Sequence, residues 1–319
     1  MQNLLNIGHI TLDTFLTIDS GNVLCDVNDR ECKIAFEYGA KIPVHEIHYG
    51  IGGGASNVVV GTKLLGINSS IWSIIGKDRN ADSILDLFTK HKIKTDLIER
   101  DEIPTDLATI LTFGPERTIF TYNSDRKFRV QPNLFSKFNN VFLSSVGKDV
   151  ENMYDEIEKA KDKYGFKLFF NPGSKEIRYS HSSIVKILDS VDYLIANIEE
   201  GCALLNPGLT RSQIEIEDLI SMLNQKGIKQ IVLTDGVNGV YYSDSYRVKH
   251  VPAEKVEVIE KTGAGDAFAS GYISAILHGL SIEDSIKWGV TNGASVVQKV
   301  GAQAGLLSQK EMQNKLNFL

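Results

Sequence analysis

Cysteine is scarce in this chain: Cys25, Cys32 and Cys202 are the only three in 319 residues. None lies at a metal-ligand spacing, and an odd, sparse set suits a reducing compartment, so a cytoplasmic location is expected. Long apolar runs are also lacking. No stretch approaches the ~20 residues of a membrane-spanning helix, and the N-terminal MQNLLNIGHI has no basic region followed by a long apolar one. Neither a membrane partner nor a signal peptide is expected. Repeats, low-complexity tracts and an interdomain linker are missing too. Positive charge is not in excess, and the net charge of −6 argues against nucleic acid as a partner. The rest of the composition is ordinary for a soluble globular enzyme, with 42% hydrophobic and 23% charged residues. The length allows one large domain plus a small appendage.

Some familiar motifs are absent as well. No G-x-x-x-x-G-K-[ST] occurs, so this is not a P-loop enzyme. In the run GGGASN, Asn57 takes the place of the final glycine of G-x-G-x-x-G, which excludes a dinucleotide fingerprint. His45 and His48 have a spacing that invites zinc. Three apart on a strand, they would point to opposite faces and could not share a metal.

The segment Lys261 to Leu277, KTGAGDAFASGYISAIL, carries the most information. An apolar, strand-like run, Val256 to Ile259, leads into Gly263-Ala264-Gly265-Asp266, and small and apolar residues then recur at helical spacing. The backbone N–H groups after Thr262 are expected in the first turn of a helix. Such a turn has unpaired donors and a partial positive charge. It is a ready site for phosphate or for developing negative charge. Gly263 and Gly265 allow a ligand close to the backbone. Asp266 would repel an anion there, unless it takes a proton from an attacking hydroxyl. An anion hole beside a base is the layout for phosphoryl transfer to an alcohol. The plainer role for Asp266 is that of a carboxylate favouring a helix N-terminus.

From about residue 140, strand and helix patterns alternate. Strands are expected at Val141 to Ser144, Phe166 to Phe170, Tyr193 to Ala196 and Gln230 to Thr234. Helices are expected at Val150 to Lys163, Ser182 to Leu188, Ile214 to Gln225, Ala267 to Leu277 and Ile282 to Lys299. This implies an α/β fold with a doubly wound, mostly parallel sheet flanked by helices. Ligands then bind beyond the carboxyl ends of the strands. Leu4 to Gly8 and Ile71 to Ile75 add strands. Between Phe15 and Gly50, alternation and turn signals suggest strands without helices. Leu107 to Phe113 and Thr118 to Tyr122 read as a hairpin around Gly114-Pro115. Pairing of these two excursions would give one small β-sheet. The expected division is a core of residues 1–14, 51–104 and 124–319, with a lid of 15–50 and 105–123.

A second glycine run, Gly52-Gly53-Gly54, opens a helix whose buried stripe is Ala55, Val58, Val59, Thr62 and Leu65. Together the two glycine segments resemble the signatures of the ribokinase-like (PfkB) family of carbohydrate and nucleoside kinases. The first has the form GG-x-x-x-N, supplied by Gly52, Gly53, Gly54 and Asn57. The second has the form D-T-x-G-A-G-D, supplied by Thr262, Gly263, Ala264, Gly265 and Asp266. Two signatures in the right order and at the right distance are far more specific than either alone.

The resemblance implies roles for further residues. Asp266 is the base, and Gly263, Ala264 and Gly265 form the anion hole. Gly8, Asp13, Gly52, Gly53, Gly54 and Asn57 face the acceptor, with Asp13 accepting from its hydroxyls. Asn57 could equally cap its helix. Asn197 and Glu200 match an N-x-x-E element that organises Mg²⁺, usually through water, although the same spacing makes a capping box. Asn171, Thr234, Gly236 and Thr262 lie toward the nucleotide, and Asn292 toward the adenine. Glu260 stands where the family has Asp, near a monovalent-cation site, so K⁺ dependence stays open. Arg117 in the lid faces either an anionic substrate group or solvent. The lid covers the acceptor and is often a dimer contact in that family. The expected activity is ATP- and Mg²⁺-dependent phosphorylation of a small sugar or sugar derivative. A nucleoside acceptor and a non-catalytic sugar or nucleotide sensor are the alternatives. Phe15 and Phe36 are the aromatic residues that could stack on a base.

Overall fold

A computed structural model describes residues 2–25, 32–114, 116–131, 133–147, 150–244 and 247–316. In chain order the strands are β1 (Asn3–Ile7), β2 (Thr11–Thr17), β3 (Asn22–Cys25), β4 (Cys32–Ala35), β5 (Glu46–Gly52), β6 (Asn68–Gly76), β7 (Ile98–Asp101), β8 (Leu107–Phe113), β9 (Glu116–Tyr122), β10 (Asn140–Leu143), β11 (Lys167–Phe170), β12 (Tyr193–Asn197), β13 (Gln230–Thr234), β14 (Val240–Asp244) and β15 (Arg247–Val251). The helices are α1 (Gly54–Leu64), α2 (Arg79–Lys90), α3 (Glu151–Tyr164), α4 (Ser174–Ile187), α5 (Ile198–Leu205), α6 (Ile216–Asn224), α7 (Ala264–Leu277), α8 (Ile282–Val296) and α9 (Gln309–Leu316).

The large sheet runs β15-β14-β13-β12-β11-β10-β1-β6-β7. Neighbours from β7 to β13 are parallel, and β14 and β15 turn antiparallel at one edge. Alternate residues of each strand supply opposite layers, as the two-residue period of a strand requires. Leu143, Phe170, Leu194 and Leu233 pack into one layer with residues of α3 to α6. Phe142, Phe169, Ile195 and Val232 pack into the other with residues of α1, α7 and α8. Both faces are therefore covered, which is why these short strands read as continuous apolar runs. The chain builds outward from β1 in two directions, to β6 and β7 and to β10 through β13. The crevice at such a reversal opens beyond the carboxyl ends of β1 and β10.

The lid is a four-stranded sheet, β5-β2-β8-β9. It joins both N-terminal excursions, with β2 and β8 parallel and the other pairs antiparallel. Lid strand β2 begins at Thr11 and β5 runs through Gly52, so boundaries at 15 and 50 fall inside strands. β3 and β4 do not join this sheet. They pair only with each other, with Cys25 opposite Cys32. These two cysteines are disulfide-bonded, so the cysteine set no longer argues for a reducing compartment, and Cys202 alone is free and buried. Gly114 sits at the hairpin turn, and Pro115 lies outside the described residues.

Two further expectations are corrected. Val256 to Ile259 is not a strand. β15 already forms the edge of the sheet beside β14, the run has no strand to pair with, and the Ile259 N–H donates instead to the Val297 carbonyl. The second closing helix ends at Val296 rather than Lys299, and α9 follows it.

Candidate active site

The C-terminal signature folds as its residues demand. Gly263 caps α7 in the left-handed region, with φ of 78°, where a side chain would be strained. A Cβ there would also press on Ala302. Helix α7 starts at Ala264, so the Gly265 and Asp266 N–H groups lie in its first turn without intrahelical partners. Nothing stands within 4 Å of where a Gly265 Cβ would be, so this turn is open to a ligand.

Asp266 enters a cavity of about 170 Å³ beyond the carboxyl ends of β11, β12 and β13. Asn171, Asn197, Glu200, Thr234 and Gly265 share that cavity. Four separate segments that the sequence singles out thus meet in one place. Asn171 donates to the Ile195 carbonyl at 2.7 Å. Asn197 and Glu200 make the full capping box of α5: Asn197 Oδ1 accepts from the Glu200 N–H at 2.8 Å, and Glu200 Oε2 accepts from the Asn197 N–H at 3.1 Å. Ser174 donates to the other Glu200 oxygen at 2.9 Å. Burial pushes the Glu200 carboxyl up despite these donors, with Asp266 and Glu199 adding repulsion. Gly236 begins a short turn two residues beyond Thr234. Asn292 is not at the nucleotide side. It is fully buried between α7 and α8, donates to the Ala267 carbonyl and to Ser270, and accepts from the Leu307 N–H. Every polar atom of its amide is used in packing, so it cannot flank an adenine.

On the other side of Asp266 lie the glycine run and Asp13. Gly53 has φ of 93°, and a Cβ there would collide with the His9 carbonyl. A Cβ on Gly52 would collide with the Asp13 carboxylate. One on Gly54 would collide with Ser144 and stand 3.4 Å from Asp266. A Cβ on Gly8 would stand 2.9 Å from that of Ala55, so this glycine lets α1 close on β1. The glycine run therefore brings β1, β10, Asp13 and Asp266 together. Asn57 does not cap its helix. Its Nδ2 donates to Asp266 Oδ2 at 2.8 Å.

The electrostatics are those of a crowded acidic site. Asp13 is buried, and its carboxyl is pushed up to about 6, chiefly by burial. A hydrogen bond from Thr11 opposes the shift, and the charges of Asp266 and Glu260 add to it. Burial likewise raises the Asp266 carboxyl, and the Asn57 amide pulls it back. Glu260 accepts from the Gly301 N–H at 2.6 Å, and Arg117 of the lid approaches its other oxygen at 3.8 Å. Arg117 is thus partly covered and turned toward Glu260. Glu260 Oε1 and Thr262 Oγ1 are buried without a hydrogen-bond partner. The Thr262 hydroxyl oxygen is therefore a candidate ligand for a cation, whereas Glu260 Oε1 already has the Arg117 charge beside it. The open amides of Gly265 and Asp266 fit a phosphate. Among the described residues no cluster of three metal-ligating side chains occurs.

Several functional neighbours escaped the sequence reading. Thr11, two residues before Asp13 on the same strand face, donates to it at 2.6 Å. Gln303 donates to Asn57 Oδ1 at 2.9 Å and to the Ile51 carbonyl at 3.2 Å. His9 meets Asp106 at 3.0 Å, and Asp106 meets the buried Arg126 at 2.9 Å. Thr11 was findable from strand alternation. Gln303, Asp106 and Arg126 carry no motif. His45 and His48 pair separately, with Asp19 and Glu46. Phe36 packs on Gly21 of its own excursion, whereas Phe15 is buried against Gly50 and Gly301.

Known proteins are similar to this chain in sequence and fold. The chain matches the pfkB family carbohydrate kinase pattern over residues 16–309. It is 26% identical to a ribokinase of Lactococcus lactis over 272 residues, covering 84% of this chain and 86% of that one. It is 27% identical to a nucleoside kinase of Methanocaldococcus jannaschii over 277 residues, covering 83% of this chain and 84% of the relative. Among solved structures, an Arabidopsis thaliana ribokinase complexed with ribose and ATP superposes with a TM-score of 0.80 at 18% identity, over 100% of this chain and 99% of that one. An open helix turn with its own carboxylate, a glycine-run helix donating to that carboxylate, and a match over most of the sequence lead to one assignment: this chain belongs to the pfkB family of carbohydrate kinases and is a phosphotransferase.

Proposed function

We propose that this protein transfers the γ-phosphoryl group of ATP to a hydroxyl of a small sugar or sugar derivative. The observation that carries the reading is the position of Asp266, one carboxylate at the amides of a helix N-terminus and hydrogen-bonded to Asn57. Asp266 takes the proton of the attacking hydroxyl. The amides of Gly263, Ala264, Gly265 and Asp266, with Thr262 beside them, hold the transferring group. Asp13 accepts from acceptor hydroxyls, and its buried setting makes it a discriminating contact. Asn171, Asn197, Thr234 and Gly236 border the nucleotide phosphates. Mg²⁺, bound with ATP, would neutralise the phosphate charge near Glu200. K⁺ would find an oxygen at Thr262, two residues after Glu260. The lid excludes water, which would otherwise divert the phosphoryl group to hydrolysis. A base at the anion hole supports an enzyme over a passive sensor.

One observation favours a nucleoside as the second acceptor class. A cavity of about 310 Å³ lies beside the acceptor end, lined by Phe15, His48, Tyr49, His91 and the loop around Gly301. An aromatic, half-apolar space of that kind suits a base better than a bare sugar. The outer lid face exposes Ile47 and Tyr49 on β5 and Phe120 and Tyr122 on β9, the two edge strands of the sheet, which supports a homodimer through the lid. The division into an α/β core and a lid of β2, β5, β8 and β9 goes with this reading. Need for ATP supports a cytoplasmic site of action. The cysteines no longer do, since Cys25 and Cys32 are bonded. No described helix is long and apolar enough to cross a membrane.

The test is ADP release by the purified protein with sugars, sugar phosphates, sugar acids and nucleosides. A sugar should stimulate release well above the acceptor-free rate. Stimulation by nucleosides alone would move the acceptor to the second class, and none by any acceptor would remove the kinase reading.

A further inference from the structure

We propose that Gln303 is a positioning residue that fixes the Asn57 amide in the orientation holding Asp266 ready to accept a proton. The proposal rests on the phosphotransferase reading and concerns a residue outside both glycine signatures. An ionised carboxylate only accepts hydrogen bonds, so Asn57 must present its NH₂ to Asp266, as it does at 2.8 Å. The Asn57 oxygen then faces the other way and needs a donor. Gln303 Nε2 provides one at 2.9 Å, and its second hydrogen has the Ile51 carbonyl at 3.2 Å. The chain from Gln303 through Asn57 to Asp266 has one arrangement in which every atom is satisfied.

The alternative arrangement shows what Gln303 does. A protonated Asp266 is a donor. It would be served by an Asn57 turned half a revolution, with the amide oxygen toward the acid. That turn would bring the Asn57 NH₂ against the Gln303 NH₂, donor to donor. Gln303 therefore disfavours the amide state that suits the protonated acid, and favours the ionised one. The loop that carries Gln303 is itself fixed. Gly301 donates to Glu260 at 2.6 Å, Ala302 packs on Gly263, and the Leu307 N–H donates to Asn292 at 3.1 Å. Asp13 and Glu200 are the charged groups that act on Asp266 from β2 and α5, while Glu260, before α7, acts on Asp13 and has Arg117 reaching toward it from β9. Gln303→Met adds no charge to this set and removes none.

The experiment compares wild-type protein with Gln303→Met, which has a similar shape and no donor, and with Gln303→Glu. The Asp266 carboxyl is titrated by ¹³C NMR on aspartate-labelled protein, assigned with Asp266→Asn, and kcat/KM for the best acceptor is measured against pH. Both variants should raise the Asp266 midpoint, by about one pH unit, the scale of one hydrogen bond to a charged group. The acid limb of kcat/KM should move with it, while KM for ATP stays put. In an Asn57→Ala background the Gln303→Met change should add nothing. An unmoved midpoint in folded Gln303→Met protein overturns the proposal. So does a full shift that persists without Asn57. The NMR titration needs no turnover, so absence of kinase activity in the wild type would show separately as failure of the underlying reading. Should Gln303→Met unfold, Gln303→Leu, which likewise has neither a donor nor a charge, carries the same comparison.

Discussion

Asn57 Nδ2 and Asp266 Oδ2 lie 2.8 Å apart although 209 positions separate them in the chain. This bond ties the helix of the first glycine run to the helix of the second. It joins the acceptor end of the site to the phosphate end, and it places a donor on the one carboxylate that faces both. The predictions below probe the groups on either side of it.

Asp13 should govern the acceptor and not ATP. Asp13→Ala should weaken acceptor use by about 10-fold or more per lost hydrogen bond, with KM for ATP little changed. Its carboxyl is raised to about 6, so acceptor affinity should fall as the pH drops through that value and the oxygen acceptors are lost. Stability runs the other way. A carboxyl raised in the folded state binds its proton more tightly there than in the unfolded chain. Stability is therefore fully present at pH below about 4 and is lost as pH rises through about 6. At pH 8, Asp13→Asn should stabilise the protein, by up to about 3 kcal/mol, while impairing the acceptor. Steady-state kinetics and thermal unfolding on the same preparations check both halves. Unchanged acceptor affinity would mean that the two ends of the site are assigned in reverse.

Glu200 can be divided into its two roles. Glutamine keeps an oxygen for the Asn197 N–H, so Glu200→Gln should preserve the capping box and leave stability within about 0.5 kcal/mol. It removes the charge, so the Mg²⁺ concentration needed for half-maximal rate should rise. Asn197→Ala should instead lower stability by about 0.5–2 kcal/mol through loss of the cap. A Mg²⁺ titration of Glu200→Gln that overlays the wild type would leave Glu200 as a cap alone.

Arg126 should be a stability residue. It is buried with Asp101 and Asp106, and it also donates to Ser124 and to the Ile103 and Pro104 carbonyls. Burial alone would raise the Asp106 carboxyl, yet hydrogen bonds from His9 and Ser124 outweigh it and hold that carboxyl below the usual range. Arg126→Met leaves this buried charge short of a partner and should cost about 3–5 kcal/mol in urea unfolding. A loss under about 1 kcal/mol would show that water replaces the arginine.

The two glycine signatures were legible because each is a local device. Gly263 must be left-handed, Gly265 must be open, and Asp266 must follow in the first turn, all within four residues. The βαβ alternation was legible because Phe142 and Leu143, or Phe169 and Phe170, must face opposite apolar layers. What the sequence hid depends on tertiary approach. Asn57 looked like a cap or a hydroxyl binder, and its partner comes from the far end of the chain. Asn292 looked accessible in a helical pattern, but α7 covers it. Val256 to Ile259 is apolar enough for a strand and has no strand beside it. Cys25 and Cys32 could not be paired by counting. The β3–β4 register puts them opposite each other.

Asp266→Asn measures the central claim most directly. Asparagine keeps the shape at the helix turn and removes the proton acceptor. The variant should fold and bind ATP as the wild type does, with turnover of the best acceptor lower by about 10²–10⁴-fold, the usual contribution of a general base. Turnover near the wild-type value, with ATP binding unchanged, would contradict the account and take Asp266 out of the chemistry.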